Sequence, residues 1–245
     1  MSSVRDVVIN LLASAIAAAV GWTAQYLVRQ RRLQRKRSFL GVRPGAEVLL
    51  FVARHAGSPK PESVHRTDVA TLVELATMIR ESGGLPTLVT SDEGRRETGR
   101  VAEYSVGGPD TNPRTAAHFR SALPGVRFGE FQPDKPHVVW VGDTPYQRQP
   151  GTEQFALLAR VRSMPDGAPA WVIAGQSAMD NLGAVRYLAA HHRALRKTYG
   201  KERNFCLLLV LRETSVFGAD HVHLVADVSA TAFTALDAPD RAIAA

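Results

Sequence analysis

YSVGGPDTNPRTAAHF at residues 104–119 and WVIAGQSAMDNLGAVRYL at residues 171–188 share one plan: an apolar strand, a glycine turn, a polar cap and a helix. That plan is the strand-to-helix unit of an α/β sheet. In the first unit Asn112 suits an N-cap, and Pro113 suits the first helical position because it has no N–H to leave unpaired. In the second, a buried-type strand over residues 170–174 runs into Gly175 and Ser177 and then a long helix over residues 181–199.

The alternation continues outward from these units. Residues 47–54 (EVLLFVAR) form a β-rich apolar run of strand length. Residues 67–82 carry apolar side chains at a helical period, with Thr67 as N-cap and Gly83-Gly84 as the stop. Strands are expected over residues 85–90, 101–106, 126–131, 137–141 and 155–162, and a charged loop over residues 91–100. Residues 205–212 (FCLLLVLR) and 222–228 close the chain as an antiparallel pair, because the segment between them is too short for a crossover helix. The expected fold class is α/β: one mostly parallel, open-sheet domain over residues 38–245 with an antiparallel C-terminal strand pair. Residues 38–45 read as a connector closed by Pro44 and Gly45.

Residues 7–28 (VVINLLASAIAAAVGWTAQYLV) hold no charge, and six cations follow within residues 29–37 (RQRRLQRKR). As a helix the uncharged stretch measures roughly 33 Å, enough for a hydrocarbon core of ~30 Å. Trp22 and Tyr26 stand toward its basic end, where aromatic rings favour the membrane interface. A signal peptide would place its cations before a shorter apolar core. Residues 1–37 therefore read as a transmembrane anchor with a basic flank. Cytoplasmic flanks carry the excess of Lys and Arg. The expected topology is a single pass through the inner membrane, with the N-terminus outside and the domain cytoplasmic. Ala13, Ala17 and Gly21 recur every four residues and offer a small-residue face on which two helices can pack as a homodimer.

The whole chain carries a formal +7, yet residues 38–245 hold 23 basic and 22 acidic residues. The body is nearly neutral, so it has no cationic surplus for a phosphate-tracking surface, and no nucleic-acid partner is expected. A single cysteine, Cys206, excludes a disulfide framework and any cysteine-based zinc site. His221 and His223 share one strand face, but no further ligand motif accompanies them, so no metal is expected.

In open α/β sheets ligands bind at the carboxyl ends of strands. The two glycine turns predict a crevice there, lined by Gly107, Gly108, Asn112, Gly175, Ser177 and Asn181, with helix amino ends favouring a small anionic ligand. Neither turn carries a dinucleotide or P-loop fingerprint, so no cofactor is expected. The acid–base candidates are Asp68, Glu74, Glu103, Asp143 and Asp180, with most weight on Glu103, just before the first turn, and Asp143, after a buried strand. No nucleophile elbow is present. Three functions fit this reading: a membrane-anchored sensor for a small anionic ligand, a membrane-tethered nucleotide- or glycan-processing enzyme using the same crevice, or a scaffold recruiting a protein partner.

Overall fold

The structure is a computed structural model that describes residues 2–58, 60, 63–90, 99–130, 132, 137–164 and 166–235, without the side chains of residues 2–8, 10–13, 15 and 17. Its elements are α1 (Ser2–Leu40), β1 (Glu47–Val52), α2 (Arg66–Glu81), β2 (Leu85–Thr90), β3 (Glu103–Val106), α3 (Pro113–Ala122), β4 (Val126–Phe128) and β5 (Val138–Val141). There follow β6 (Thr144–Gln147), β7 (Glu153–Val161), β8 (Ala170–Gly175), α4 (Ala178–Tyr199), β9 (Phe205–Arg212), α5 (Thr214–Phe217), β10 (Val222–Asp227) and α6 (Ser229–Ala232).

The fold is mixed α/β. Seven strands form one sheet in the order β10-β9-β7-β8-β3-β1-β2, and β4-β5-β6 form a second, antiparallel sheet. Five of the seven strands run the same way; only β7 and β10 oppose them. The antiparallel closing pair, β9 with β10, is present as expected. The parallel half is the order β2-β1-β3-β8.

Both faces of the large sheet are covered, which is why its central strands are continuous apolar runs rather than alternating ones. On the first face Tyr104, Val106, Trp171, Ile173 and Leu207 pack with α2, α4 and the last turn of α1. On the second, Val172, Ala174, Leu208 and Val210 pack with Phe119 of α3, Val139 of the small sheet and Ala232 of α6. Helix α2 follows β1 on the first face and α3 follows β3 on the second. The connections out of β1 and β3 thus leave to opposite sides, and β1 and β3 are neighbours. That is a topological switch point.

Several sequence expectations need correction. Residues 38–40 are not a connector: α1 runs through Leu40, and Phe39 and Leu40 are fully buried. Gly41 (φ +76) ends the helix, with the Val42 N–H bonded to the Arg37 carbonyl at 2.9 Å, a Schellman closure. Helix α2 starts one residue earlier than expected, capped by His65, whose Nδ1 accepts from the Thr67 N–H at 3.2 Å. Helix α4 begins at Ala178 rather than residue 181. Strand β6 is an addition, and β4 and β5 belong to the small sheet. The expected loop at residues 91–98 lies outside the described residues.

Among the described residues no helix is long and apolar enough to cross a membrane. Most side chains of residues 7–17, the first half of the uncharged stretch, lie outside the description, as do Ala13 and Ala17 of the small-residue face. In the second half Val20, Trp22, Tyr26, Leu27 and Val28 are exposed, and Trp22 stacks on Tyr26.

Candidate functional site

At the carboxyl ends of the parallel strands, four elements meet. The chain leaving β1 brings His55, the start of α2 brings His65 and Asp68, the β3–α3 turn brings Gly107 and Gly108, and the β8–α4 turn brings Ser177, Asp180 and Asn181. The two glycine turns do lie side by side: the Gly107 N–H donates to the Ile173 carbonyl at 2.9 Å, and a Cβ on Gly108 would meet the Gly175 carbonyl oxygen at 3.8 Å. The two turns predicted from sequence are therefore neighbours at the carboxyl ends of β3 and β8.

The predicted crevice residues divide by role. Asn112 is fully buried and its amide is consumed by the fold. Its Oδ1 accepts from the Arg114 and Thr115 N–H groups, and its Nδ2 donates to the Val106 and Phe51 carbonyls. Asn181 accepts from the Gly175 N–H at 2.8 Å and donates to Asp68 at 3.0 Å, tying α4 to α2. Gly107 (φ +109) lets β3 close against β1, since a Cβ there would stand 2.3 Å from the Ala53 Cβ. Gly175 likewise has no room, with the Asp180 Cβ at 2.5 Å and the Asn181 N at 3.0 Å. These four residues build the crevice. Ser177 and Gly108, both half-buried, remain at its surface.

This division is testable by melting temperature. Gly108→Ala should be near neutral, within about 0.5 kcal/mol, whereas Gly175→Ala should cost about 1–3 kcal/mol by forcing α4 off β8. Equal melting of the two variants would remove the distinction.

The carboxylates sequence reasoning favoured stand elsewhere. Asp143 is exposed in the turn between β5 and β6, because β5 pairs antiparallel with β6 and its carboxyl end opens into a hairpin. Glu103 sits at the amino end of β3, the far end from the crevice, and is buried. There it holds Arg114 and His118 of α3: Arg114 Nε donates to Oε1 at 3.0 Å, Nη2 donates to Oε2, and His118 Nε2 lies 2.5 Å from Oε1. Glu103 fastens α3 to the sheet.

Two other carboxylates, Asp68 and Asp180, which carried less weight in the sequence, stand in the first turns of α2 and α4 and are buried. Asp180 is fully buried; burial pushes its carboxyl up to about 7, against the Ser177 hydroxyl, which donates to Oδ2 at 2.8 Å, and the nearby Arg148. Its Oδ1 has no hydrogen-bond partner among the described residues. Burial also raises Asp68, opposed by its bond to Asn181 and by His65 and His55. The His55 and His65 rings stack at 5.2 Å, and His55 Nδ1 has no hydrogen-bond partner among the described residues. A sequence signal for this pair existed: His65 stands two residues before an apolar-periodic helix, and Asp68 in its first turn.

The far wall is the small sheet. Gln176 pins it: Oε1 accepts from the Phe155 N–H, while Nε2 donates to the His137 and Tyr146 carbonyls at 2.9 and 2.8 Å. Gln154, Arg148 and Ser177 continue this polar chain toward Thr214.

The crevice thus offers imidazole nitrogens on the β1–α2 side and a protonatable carboxyl beside a hydroxyl on the α4 side. Comparison with protein-family models, with curated proteins and with solved structures finds no match.

Proposed function

We propose that this chain is a membrane-anchored α/β module that binds a small anionic ligand in the switch-point crevice and reports it at the membrane. The observation that carries the reading is the divergence of α2 and α3 to opposite faces after neighbouring strands, the arrangement beside which open α/β sheets bind ligands at their strands' carboxyl ends. The anionic group belongs on the side of His55 and His65. The amino end of α4 is already occupied by its own Asp180, whose carboxylate would repel a second anion there. The anchor is the uncharged stretch at residues 7–28 followed by its six cations, with the N-terminus outside. The exposed apolar residues along the second half of α1 support it, because a helix that leaves Val20, Trp22, Leu27 and Val28 uncovered calls for an apolar surrounding.

A second reading, catalysis in the same crevice, is favoured by one pairing: the Ser177 hydroxyl against a carboxyl with a value near 7, which suits a general base at neutral pH.

The test is a melting screen of the full chain in neutral detergent against nucleotides and sugar phosphates. A ligand at a hundred times its Kd adds about 2.7 kcal/mol to the folded state. For a chain of this size that is an upward shift of roughly 5–10 °C. The double variant His55→Ala/His65→Ala should lose the shift. A full shift in that variant would place the ligand elsewhere. Conversion of the added compound during incubation, abolished by Asp180→Asn, would favour the enzyme.

A further inference from the structure

The basic run after residue 28 does not stand alone. Below α1's last turns a groove of about 470 Å3 opens between α1 and the C-terminal end of α4, lined by Arg31, Arg35 and Ser38 on one side and by Arg196 and Lys201 on the other. Among the described residues no carboxylate lines it. A second cleft adjoins it at Ser38 and Lys201; this one is of mixed charge, with Arg43 and Arg162 but also Asp166 and Glu202. Among the described residues Arg31, Arg35 and Arg196 form no ion pair. Lys201 meets only Glu202 at 3.2 Å, an exposed pair of little strength.

Setting topology requires cations near the apolar stretch and nothing more. It does not require that Arg196 and Lys201, about 160 residues further along a nearly neutral body, face the same run across a groove. That convergence of four cations has a use if an anion sits between them. Arg31 lies three residues beyond Val28 and Ser38 ten, so the groove occupies a band about 5–15 Å past the end of the uncharged stretch. The headgroup region reaches about 5–7 Å beyond the hydrocarbon core, so if residues 7–28 span the bilayer the phospholipid phosphates lie at the membrane-side edge of this band, level with Arg31.

We infer that the groove between α1 and the end of α4 is a headgroup site for an anionic phospholipid, which holds the domain against the inner leaflet. This rests on the membrane-anchored reading above. The guanidinium groups of Arg31, Arg35 and Arg196 offer forked donors to the lipid phosphate, and Lys201 adds a point charge. A zwitterionic headgroup gains less, because its own ammonium faces the same cations.

The experiment titrates the full chain in neutral detergent with short-chain phosphatidylglycerol, phosphatidylcholine and inorganic phosphate, read by native mass spectrometry. Phosphatidylglycerol should bind at least tenfold tighter than phosphatidylcholine. Arg196→Ala/Lys201→Ala, both outside the topology-setting run, should weaken it about 25-fold, at roughly fivefold per cation. Arg31→Gln/Arg35→Gln should do the same from the other wall, so a folding defect in one pair leaves the other to decide. Equal binding of the two lipids, or unchanged affinity in both pairs, overturns the site. Displacement of phosphatidylglycerol by millimolar inorganic phosphate overturns it in favour of a soluble anion. Carbonate extraction of cell membranes tests the anchor separately: release of the chain defeats the membrane-anchored reading whatever the titration shows.

Discussion

Arg160→Ala should lower the unfolding free energy of the full chain by about 3–5 kcal/mol, the scale of losing a fully buried charged side chain together with its volume. Arg160 is fully buried on β7 and has no carboxylate partner in the ion pairs of the described residues. Burial draws its guanidinium down to about 10, which still leaves it charged at neutral pH. Backbone carbonyls and aromatic rings hold that charge. Its Nη atoms donate to the carbonyls of Phe39, Tyr199, Gly200 and Arg203, the last at 2.6 Å. Its Cζ lies 4.8 Å from the Phe39 ring, 5.1 Å from Phe205 and 5.8 Å from Trp171.

The same side chain therefore joins the end of α1, the end of α4 and the sheet. The α1 terminus relies on it, since helix-end carbonyls otherwise lack partners. Tyr104 OH and Trp171 Nε1 donate to the Leu40 carbonyl at 3.0 and 3.2 Å and complete the closure. Arg160→Met restores volume without donors and should recover about half of the loss. Urea unfolding followed by tryptophan fluorescence measures both. A loss under 1 kcal/mol for Arg160→Ala would show that the carbonyls find other donors.

Glu103→Ala should be nearly as severe at neutral pH, about 3–4 kcal/mol, because it leaves Arg114 and His118 without the carboxylate that holds them. This loss depends on pH. Burial alone would raise the Glu103 carboxyl, but hydrogen bonds from His118 and Arg114 and their charges outweigh it, so the folded value lies below the ordinary 4.5. A carboxyl lowered on folding contributes its stability above the unfolded value and loses it as pH falls through the folded one. The gap between wild type and Glu103→Ala should therefore be full above pH 4.5 and narrow progressively below it. Asp180 acts in the opposite sense. Raised from 3.8 to about 7, it destabilises the fold as pH climbs through that interval. Comparing variant with wild type at each pH cancels its contribution. A gap that stays constant from pH 7 to pH 3 would mean that Glu103 acts by packing alone.

Much of the architecture was legible because it is local. Asn112 followed by Pro113 announces the start of α3, and the cap forms as read. The bounds of β2 and β9 agree with the sequence reading residue for residue, since each apolar run is flanked by breaking signals. Where local signals competed, reading erred. Gly41 after Phe39-Leu40 is a helix-stop signal that competes with Pro44 and Gly45, and in the fold α1 continues to Leu40 and ends there. His65 is an uncommon cap, so Thr67 took its place. Residue types alone located the two glycine turns and could not divide builders from binders: Asn112 reaches the Phe51 carbonyl and Asn181 the Asp68 carboxylate, partners that only the folded chain brings near.

What the sequence by itself determined has a short range: the alternation of strand and helix, the glycine turns, the antiparallel closing pair, the uncharged stretch and the cations behind it. These depend on neighbours within a few residues, where period and steric preference operate. What only the tertiary structure decided is which distant groups share a space. Strand β7 enters between β8 and β9, strands β4, β5 and β6 form a sheet of their own, and Glu103 turns toward α3. Asp68 meets Asn181 across 113 positions, and Arg196 and Lys201 come to face Arg31 and Arg35. Burial changes acidity by removing water from all sides at once, and pairing of distant strands depends on how both faces of a sheet are covered. Neither quantity is a property of any short stretch of chain.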